Sequence, residues 1–239
     1  MLTADDVRRA FAGQDWTIEE SAYLDLHAAR LAYTVNLVQE YRNISNVKTI
    51  LDIGPHLLTS CIKRLIEPEV SVSTLGWAHE RLAPPSVVDR HFHFDLNHCA
   101  DQPPPATDPF DLIVFAETIE HLYTSPTIIL KWLRTLLKPE AGVLIIQTPN
   151  AVSLTKRLKM AKGANPFELI RENRDNPGHF REYTMEELMS FGEQAGLKLY
   201  RKEFCNYWQP SSWAVRLLEN LHPPFREGIT ISFLSYATK

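Results

Sequence analysis

The chain has 239 residues, of which 44% are hydrophobic and 23% charged, and its formal net charge is -4. This length and apolar content suit one α/β domain with a sizeable core, and the slightly acidic balance argues against a surface that coats nucleic acid. The three cysteines are widely spaced and include no C-x-x-C pair, so we expect buried reduced thiols rather than disulfides or a zinc knuckle.

The amino-terminal residues 1–14 are charged and lack an apolar stretch, which does not fit a signal peptide. No window of the sequence is apolar enough to predict a membrane-spanning helix. We therefore expect a cytoplasmic protein without a membrane or nucleic-acid partner.

Residues 1–46 keep a loose helical period and predict an N-terminal helical cap. Strands and helices then alternate, and their residues are mostly apolar where strands are predicted. In chain order we predict a strand over 47–53, a helix over 57–66, and strands over 70–75 and 91–96.

The second half continues the alternation after a loop at 102–109 that contains four prolines. Strands are predicted over 110–115, 142–148, 197–204 and 229–236, with helices over 128–137, 184–195 and 213–221. Thr184 and Glu187 predict a capping box, and a polar insertion covers about 153–182. Alternating apolar strands and helices predict a doubly wound, mostly parallel α/β domain over 47–239.

Five segments, in order, resemble class I S-adenosylmethionine-dependent methyltransferases of the small-molecule and polysaccharide-cluster type. The resemblance extends over residues 47–200. The segments are Ile50 to Gly54, Phe92 to Asn97, Pro109 to Leu122, Leu136 to Asn150, and Gly178 to Leu197.

The resemblance implies a seven-stranded Rossmann-like sheet with an antiparallel last strand, and S-adenosylmethionine as the cofactor. By position in the matching segments, the cofactor-binding residues are Asp52, Gly54, Pro55, His56, Gly76, Trp77, Asp95, Leu96, Ala116 and Glu117. Methyl transfer needs a group that removes the acceptor's proton, and His179 and His121 are the catalytic candidates.

Two departures concern the cofactor loop. The family spaces three glycines there, whereas this chain keeps Gly54 and has His56 and Leu58 at the other positions. The family's ribose-binding acid is replaced by Gly76, and we expect Trp77 to compensate by packing on the adenine. Proline disfavours the helical region for the residue before it, so Pro55 predicts an extended Gly54.

Each candidate has a structural alternative. Asp52 orients the loop and the methionine amino group, or caps the turn after its strand. Asp95 accepts from the adenine amino group, or caps a turn. Glu120 pairs with His121, or interacts with a helix N-terminus.

His179 acts as the general base, or is a loop histidine bonded to the backbone. The basic helix start at Lys156–Lys162 receives an anionic substrate, or is a solvated face. Three aromatic residues close together in the sequence form a substrate wall, or belong to the core or a dimer contact. They are Tyr207, Trp208 and Trp213. His91 and His93 would share a strand face, but no partner with ligand spacing joins them, so no metal site is expected.

Three functions are compatible with these patterns. The first is methyl transfer to an oxygen or nitrogen of a small molecule or saccharide. The second is a catalytically degenerate domain that serves as a binding or scaffold protein. The third, a dinucleotide-dependent oxidoreductase, needs a glycine-rich first turn that this chain lacks. The sequence does not predict the oligomeric state.

Overall fold

The computed structural model describes residues 1–66, 70–106, 108–173, 177–207 and 213–236. The chain divides into two compact units, Met1–Phe94 and Asp95–Lys239. Each unit contributes strands whose carboxyl ends carry candidate site residues.

In its described residues, the first unit contains three α-helices and three strands. They are α1 (Ala4–Ala10), α2 (Ile18–Ser45), β1 (Thr49–Ile53), α3 (Leu57–Leu65), β2 (Ser71–Gly76) and β3 (Arg90–His93). Thr3 and Thr17 begin the first two helices with reciprocal capping boxes. Asn46 ends α2 in the left-handed conformation, with φ of 50°, which asparagine tolerates better than most residues.

Helix α2 is held by an apolar stripe that recurs at helical spacing and is buried. Its members are Leu24, Ala28, Leu31, Val35 and Val38. Fully burying side chains of the Leu and Val class stabilises a fold by about 1.5–3 kcal/mol each. The helix is therefore a packed part of this unit. The helical prediction for the first 46 residues is confirmed over 4–10 and 18–45, whereas residues 11–17 between the two helices are not helical.

The second unit contains four helices and four strands in its described part. They are β4 (Leu112–Ala116), α4 (Pro126–Thr135), β5 (Val143–Pro149), α5 (Leu154–Ala161), α6 (Met185–Gln194), β6 (Leu197–Cys205), α7 (Trp213–Leu221) and β7 (Gly228–Ser235). The predicted capping box of α6 is confirmed, because Thr184 and Glu187 bond to each other's backbone amides. Gly196 follows the helix with φ of 74°, as a helix-ending glycine does.

The seven strands form one sheet in the order β3-β2-β1-β4-β5-β7-β6. β7 runs antiparallel to both of its neighbours, whereas the β1–β2, β2–β3 and β4–β5 pairs are parallel. All residues of β5 are buried, as expected for a strand covered on both faces. The predicted Rossmann-like sheet with an antiparallel last strand is confirmed.

Two predicted elements differ from the structure. The third strand ends at His93 rather than at Leu96, because Asp95 caps a short 3-10 helix over Leu96–His98. The helix predicted over 128–137 is α4, which begins and ends two residues earlier, at Pro126 and Thr135, and Glu120 and His121 belong to a separate 3-10 helix, Ile119–His121.

The three cysteines are buried and unbridged, which confirms the prediction of buried thiols. Among the helices in the described ranges, none is both long and apolar enough to cross a membrane.

The contact between α6 and β7 gives a test of this packing. A Cβ at Gly192 would overlap the ring of Phe233, which is buried in β7. We expect Gly192→Ala to lower the free energy of unfolding by about 1–3 kcal/mol in urea titration, although alanine favours helices by about 1 kcal/mol over glycine. Ser190→Ala, on an exposed face of the same helix, should change it by less than about 0.5 kcal/mol. Equal effects of the two substitutions would contradict this packing.

Candidate functional site

The turn after β1 is shaped by Gly54. Its backbone N–H donates to the carbonyl oxygen of Leu75 at 2.9 Å, which joins the carboxyl ends of β1 and β2. Gly54 has φ of +74°, so the expectation that Pro55 holds it extended is wrong. Glycine reaches this conformation without a Cβ clash, and the hydrogen bond to Leu75 fixes it there.

His56 begins helix α3 and fills the position where the family has its second glycine. Its ring lies 4.6 Å from the ring of Tyr23 and 4.9 Å from that of His79, in edge-to-face contacts. Burial lowers the pKa of His56 to about 4, helped by the nearby charges of His79 and Arg30. The imidazole is therefore a neutral, packed group at neutral pH.

Asp52 is buried at the end of β1 and is 1% exposed. The Thr59 hydroxyl donates to its Oδ2 at 2.6 Å and accepts from the backbone N–H of His56 at 3.2 Å. Burial raises the pKa of Asp52 to about 7, although the Thr59 hydrogen bond and the charge of Arg30 oppose the rise. The carboxyl group thus ties the strand, the loop and the first turn of α3 together and titrates near neutral pH.

Arg30 is a site residue that the sequence reasoning missed. It is 3% exposed on α2, and its Nη2 donates to the Tyr23 hydroxyl at 3.2 Å. Its charge acts on Asp52, His56 and His27, and it helps burial to lower the pKa of His27 to about 4. The sequence signal was an arginine on the same helical stripe as Thr34 and Tyr41, which are both buried.

Gly76 explains why the usual acid is missing at the end of β2. Its φ is +136°, and a Cβ would lie 3.2 Å from Cδ of Pro55 and 3.4 Å from the backbone nitrogen of Gly54. The altered loop therefore leaves little room for a side chain at this position. Trp77 follows with 66% exposure, and its ring contacts that of His93 edge-to-face at 4.8 Å.

In the second unit, Asp95 acts as a cap. Its Oδ1 accepts from the backbone N–H of Asn97 at 2.9 Å, and Leu96 beside it is buried. At the end of β4, the N–H of Glu117 donates to the carbonyl oxygen of Gln147 at 2.8 Å. Glu117 has φ of 49°, a left-handed conformation that strains a non-glycine residue and that proteins often keep at functional positions.

Glu120, His121 and His179 lie together, with one possible ligand atom of each within 4.8 Å of the others. The two imidazole rings are 4.8 Å apart and almost perpendicular. The carbonyl oxygen of Glu120 accepts from the N–H of Phe180 at 2.8 Å, which fixes the 178–181 segment beside the 3-10 helix.

Each member of this cluster is held by a second group. Glu120 is fully buried, and its Oε2 accepts from the Thr148 hydroxyl at 2.9 Å. His121 Nδ1 donates to the carbonyl oxygen of Gly178 at 3.0 Å, so a backbone group orients this ring. Burial lowers the pKa of His121, which favours the neutral imidazole.

His179 Nδ1 bonds to Oε1 of Glu182 at 3.2 Å, and the other oxygen of that carboxylate forms an ion pair with Lys156. Burial of Glu182 opposes ionisation, but the contacts with His179 and Lys156 prevail and lower its pKa. Lys156, taken from the sequence as part of a solvated or substrate-facing helix, is thus engaged within the protein.

The remaining predicted groups lie elsewhere. His91 Nδ1 bonds to the Thr74 hydroxyl at 2.9 Å. Tyr207 is buried, and its hydroxyl accepts from Gln147 Nε2 at 3.1 Å, which fits the core alternative. Trp213 is 80% exposed, and Trp208 lies outside the described residues.

A family model described as "Methyltransferase domain" matches residues 37–202, which is more than half of the chain. The chain belongs to the methyltransferase-domain family. The matched range includes both the loop after β1 and the Glu120–His121–His179 cluster. Among curated protein sequences, none is similar enough to match.

Solved structures share the fold of this methyltransferase domain at low sequence identity. An S-adenosylmethionine-dependent methyltransferase from Clostridium acetobutylicum superposes with a TM-score of 0.56 and 16% identity, covering 85% of this chain and 91% of its own. The N-methyltransferase NodS from Bradyrhizobium japonicum, in complex with S-adenosyl-L-homocysteine, gives 0.57 and 14%, with 97% of each chain covered.

Magnesium protoporphyrin IX methyltransferase (ChlM) from Synechocystis, also with bound S-adenosylhomocysteine, gives a TM-score of 0.56 and 12% identity, covering 97% of this chain and 93% of its own. At these identities the structural likeness supports the class I methyltransferase fold alone.

The packing of Gly76 against the loop can be tested by substitution. Gly76→Ala forces an unfavourable φ and pushes on Pro55, so we expect a loss of about 2–4 kcal/mol in the free energy of unfolding. Gly13→Ala is the matched control, because Gly13 also has positive φ, at +80°, but nothing lies within 4 Å of the added Cβ. Its loss should stay near 1 kcal/mol. If both variants lose the same stability, the close approach of Gly76 to Pro55 is not what requires glycine.

Proposed function

We propose that this chain transfers the methyl group of S-adenosylmethionine to an oxygen or nitrogen atom of a small molecule or saccharide. The observation that carries the proposal is the buried Asp52–Thr59 pair at the end of β1, in a chain of the methyltransferase-domain family. The cofactor is S-adenosylmethionine, which supplies the activated methyl group, so the protein mainly positions reactants and excludes water. We place this activity in the cytoplasm.

The domain boundaries belong to the same proposal. We assign residues 1–46 to an N-terminal helical cap, residues 47–239 to the methyltransferase domain, and about 153–182 to an insertion that covers the acceptor.

In the first unit, we assign Asp52 to the ammonium group of the cofactor's methionine part. Its ionised form would pair with that cation, and Thr59 holds the carboxylate in place. Gly54, Pro55 and His56 form the loop at the start of α3, whose N-terminal N–H groups favour polar and negative ligand groups. Trp77 has the exposed ring surface needed to pack on adenine.

In the second unit, the remaining cofactor residues of the proposal are Asp95, Leu96, Ala116 and Glu117. His121 and His179 are assigned to the acceptor, because these two half-buried rings meet edge-to-face beside a buried carboxylate. The rings of Tyr123 and Phe180 lie 5.8 Å apart next to them in sequence, and both residues are exposed. This aromatic pair would give an acceptor an apolar surface to rest on.

The degenerate-domain alternative is favoured by one observation. The His56 side chain stands where the family has a glycine, and Gly76, which has little space for a side chain, stands where the family has an acid. Losing one charged hydrogen-bond acceptor costs about 1.5–3 kcal/mol, or roughly 10- to 100-fold in affinity.

Calorimetric titration with S-adenosylhomocysteine separates the two functions. We expect one site per chain with a dissociation constant of about 1–100 µM, because the fold retains the loop and Asp52. Titration with S-adenosylmethionine should give a similar affinity. An absence of binding at millimolar ligand would favour the scaffold function instead.

The role of Asp52 predicts a pH dependence of that titration. Since its pKa is about 7 before ligand binds, the carboxyl is mostly protonated at about pH 5.5 and mostly ionised at about pH 7.5. Only the ionised form pairs with the ligand's ammonium, so affinity should rise about 10-fold or more over this range and a proton should be released on binding. Titrations in two buffers with different ionisation enthalpies measure that proton.

Asp52→Asn is the matched variant, since the amide oxygen still accepts from Thr59. We expect weaker binding at pH 7.5 and loss of most of the pH dependence. A variant with the wild-type pH profile would show that Asp52 does not contact the cofactor's charged group.

A further inference from the structure

The Glu120–His121–His179 cluster combines two imidazoles and one carboxylate from separate parts of the second unit. Glu120 and His121 come from the 3-10 helix after β4, and His179 comes from the segment before α6. Their ligand atoms lie within 4.8 Å of one another. Metal–ligand bonds of about 2.0–2.2 Å place two ligands about 3–4 Å apart, so small side-chain adjustments would bring these three donors around one small cation.

The hydrogen bonds of the two rings select the nitrogen that can bind a metal. Both Nδ1 atoms contact acceptors, the Gly178 carbonyl for His121 and the Glu182 carboxylate for His179. A carbonyl or carboxylate oxygen only accepts, so each Nδ1 carries the proton and each Nε2 of the neutral ring carries the lone pair. Metal-binding histidines in proteins show this arrangement, in which an outer carbonyl or carboxylate fixes the tautomer.

The outer contacts are themselves built into the fold. Gly178 adopts φ of +84°, a conformation that residues with a side chain rarely adopt, so the orientation of the carbonyl that meets His121 depends on glycine. Glu182 has only 6% of its side chain exposed, and Lys156 holds its second oxygen. These partners keep both rings oriented without a ligand.

The charges around the cluster are compatible with a cation. Glu120 is buried, with the Thr148 hydroxyl as a donor to one oxygen. Basic groups in the adjoining segments are engaged by acids: Lys156 pairs with Glu182, Arg171 with Glu168, and Arg181 with Glu187. A divalent ion beside this carboxyl group would favour its ionised form, since an opposite charge stabilises a buried carboxylate.

We propose that Glu120, His121 and His179 form a binding site for one divalent first-row transition ion, such as Zn²⁺, Mn²⁺ or Fe²⁺. Two imidazoles and one carboxylate favour these ions over Mg²⁺ and Ca²⁺, which prefer oxygen ligands alone. Three protein ligands leave coordination positions open for an incoming molecule. The sequence predicted no metal site because the third ligand, His179, lies far from the adjacent Glu120 and His121 in the chain.

The open positions define the class of acceptor, and this part of the inference rests on the proposed methyl transfer. An acceptor with a hydroxyl, and above all one with two neighbouring oxygens, binds the ion and has its hydroxyl pKa lowered. The hydroxyl loses its proton to solvent, its oxygen forms the bond to the methyl carbon, and the carbon–sulfur bond breaks with its electron pair on sulfur. The products are a methyl ether and S-adenosylhomocysteine, so an oxygen acceptor is favoured over nitrogen.

Titration of the metal-free protein with Co²⁺ tests the site without any acceptor. We expect one equivalent per chain, visible absorption between roughly 500 and 650 nm from a low-coordinate site, and displacement by Zn²⁺, with a dissociation constant of about 0.1–10 µM. His121→Ala, His179→Ala and the nearly isosteric Glu120→Gln should each weaken binding by at least about 30-fold. Glu182→Gln, which alters only the outer contact, should weaken it by about 10-fold.

His222→Ala is the matched control, because His222 is exposed in the same unit and its ring contacts Phe225. It should bind Co²⁺ like the wild type, and circular dichroism should show that every variant is folded. Stoichiometric binding that survives both His121→Ala and Glu120→Gln, or no wild-type binding tighter than about 1 mM, would overturn the proposal.

S-adenosylhomocysteine titration of the same proteins separates this proposal from the proposed function. Unchanged affinity in His121→Ala and His179→Ala, together with lost Co²⁺ binding, is the expected result. Wild-type protein that binds Co²⁺ at the cluster but no S-adenosylhomocysteine would remove the methyl-transfer function and leave the metal site. Protein that binds S-adenosylhomocysteine but not Co²⁺ would remove the metal site and leave the methyl-transfer function.

Discussion

The hydrogen bond from the Thr59 hydroxyl to the buried Asp52 carboxyl is the interaction on which the cofactor loop depends. It joins the end of β1 to the first turn of α3, and the same hydroxyl accepts from the N–H of His56. Because the carboxyl is removed from water, its pKa rises to about 7, and its charge is poised to respond to a ligand. A carboxyl group that titrates near neutral pH at the end of a strand is well suited to recognise a cation.

The two departures of the loop from the family pattern, His56 and Gly76, fit together in the structure that this hydrogen bond holds. His56 begins α3, and its ring packs against Tyr23 of α2 rather than standing in solvent. The turn at Gly54–Pro55 then lies close to Gly76, which has a φ of +136°, and this disfavours any residue with a side chain at the end of β2. The histidine at position 56 and the glycine at position 76 are therefore two features of one altered turn. This argues that the loop is an ordered variant of the family's cofactor loop.

Much of the fold could be predicted from the sequence because its signals are local. Apolar strands such as β5, the Thr184–Glu187 capping box, and the buried stripe of α2 each follow from short-range patterns. The conformation of Gly54 could not be predicted, because a contact with Leu75 on the next strand overrides the local preference set by Pro55.

The site was harder to predict for the same physical reason. Asp52, His121 and His179 were found by their positions in motifs, but their environments come from partners distant in sequence. Arg30 acts on Asp52 from α2, and the carbonyl of Gly178 orients His121 from the segment before α6. Motif spacing carries no information about such contacts, so neither the raised pKa of Asp52 nor the ligand geometry of the histidine cluster was accessible.

Hydrogen exchange tests most directly whether the altered turn after β1 binds the cofactor. Amide exchange would be measured by mass spectrometry with and without saturating S-adenosylhomocysteine. Ligand should slow amide exchange in peptides that cover residues 52–60 and 74–79. Exchange in peptides that cover α6 should stay unchanged. Unchanged exchange at 52–60 in protein that demonstrably binds the ligand would contradict the account, because the cofactor would then lie elsewhere.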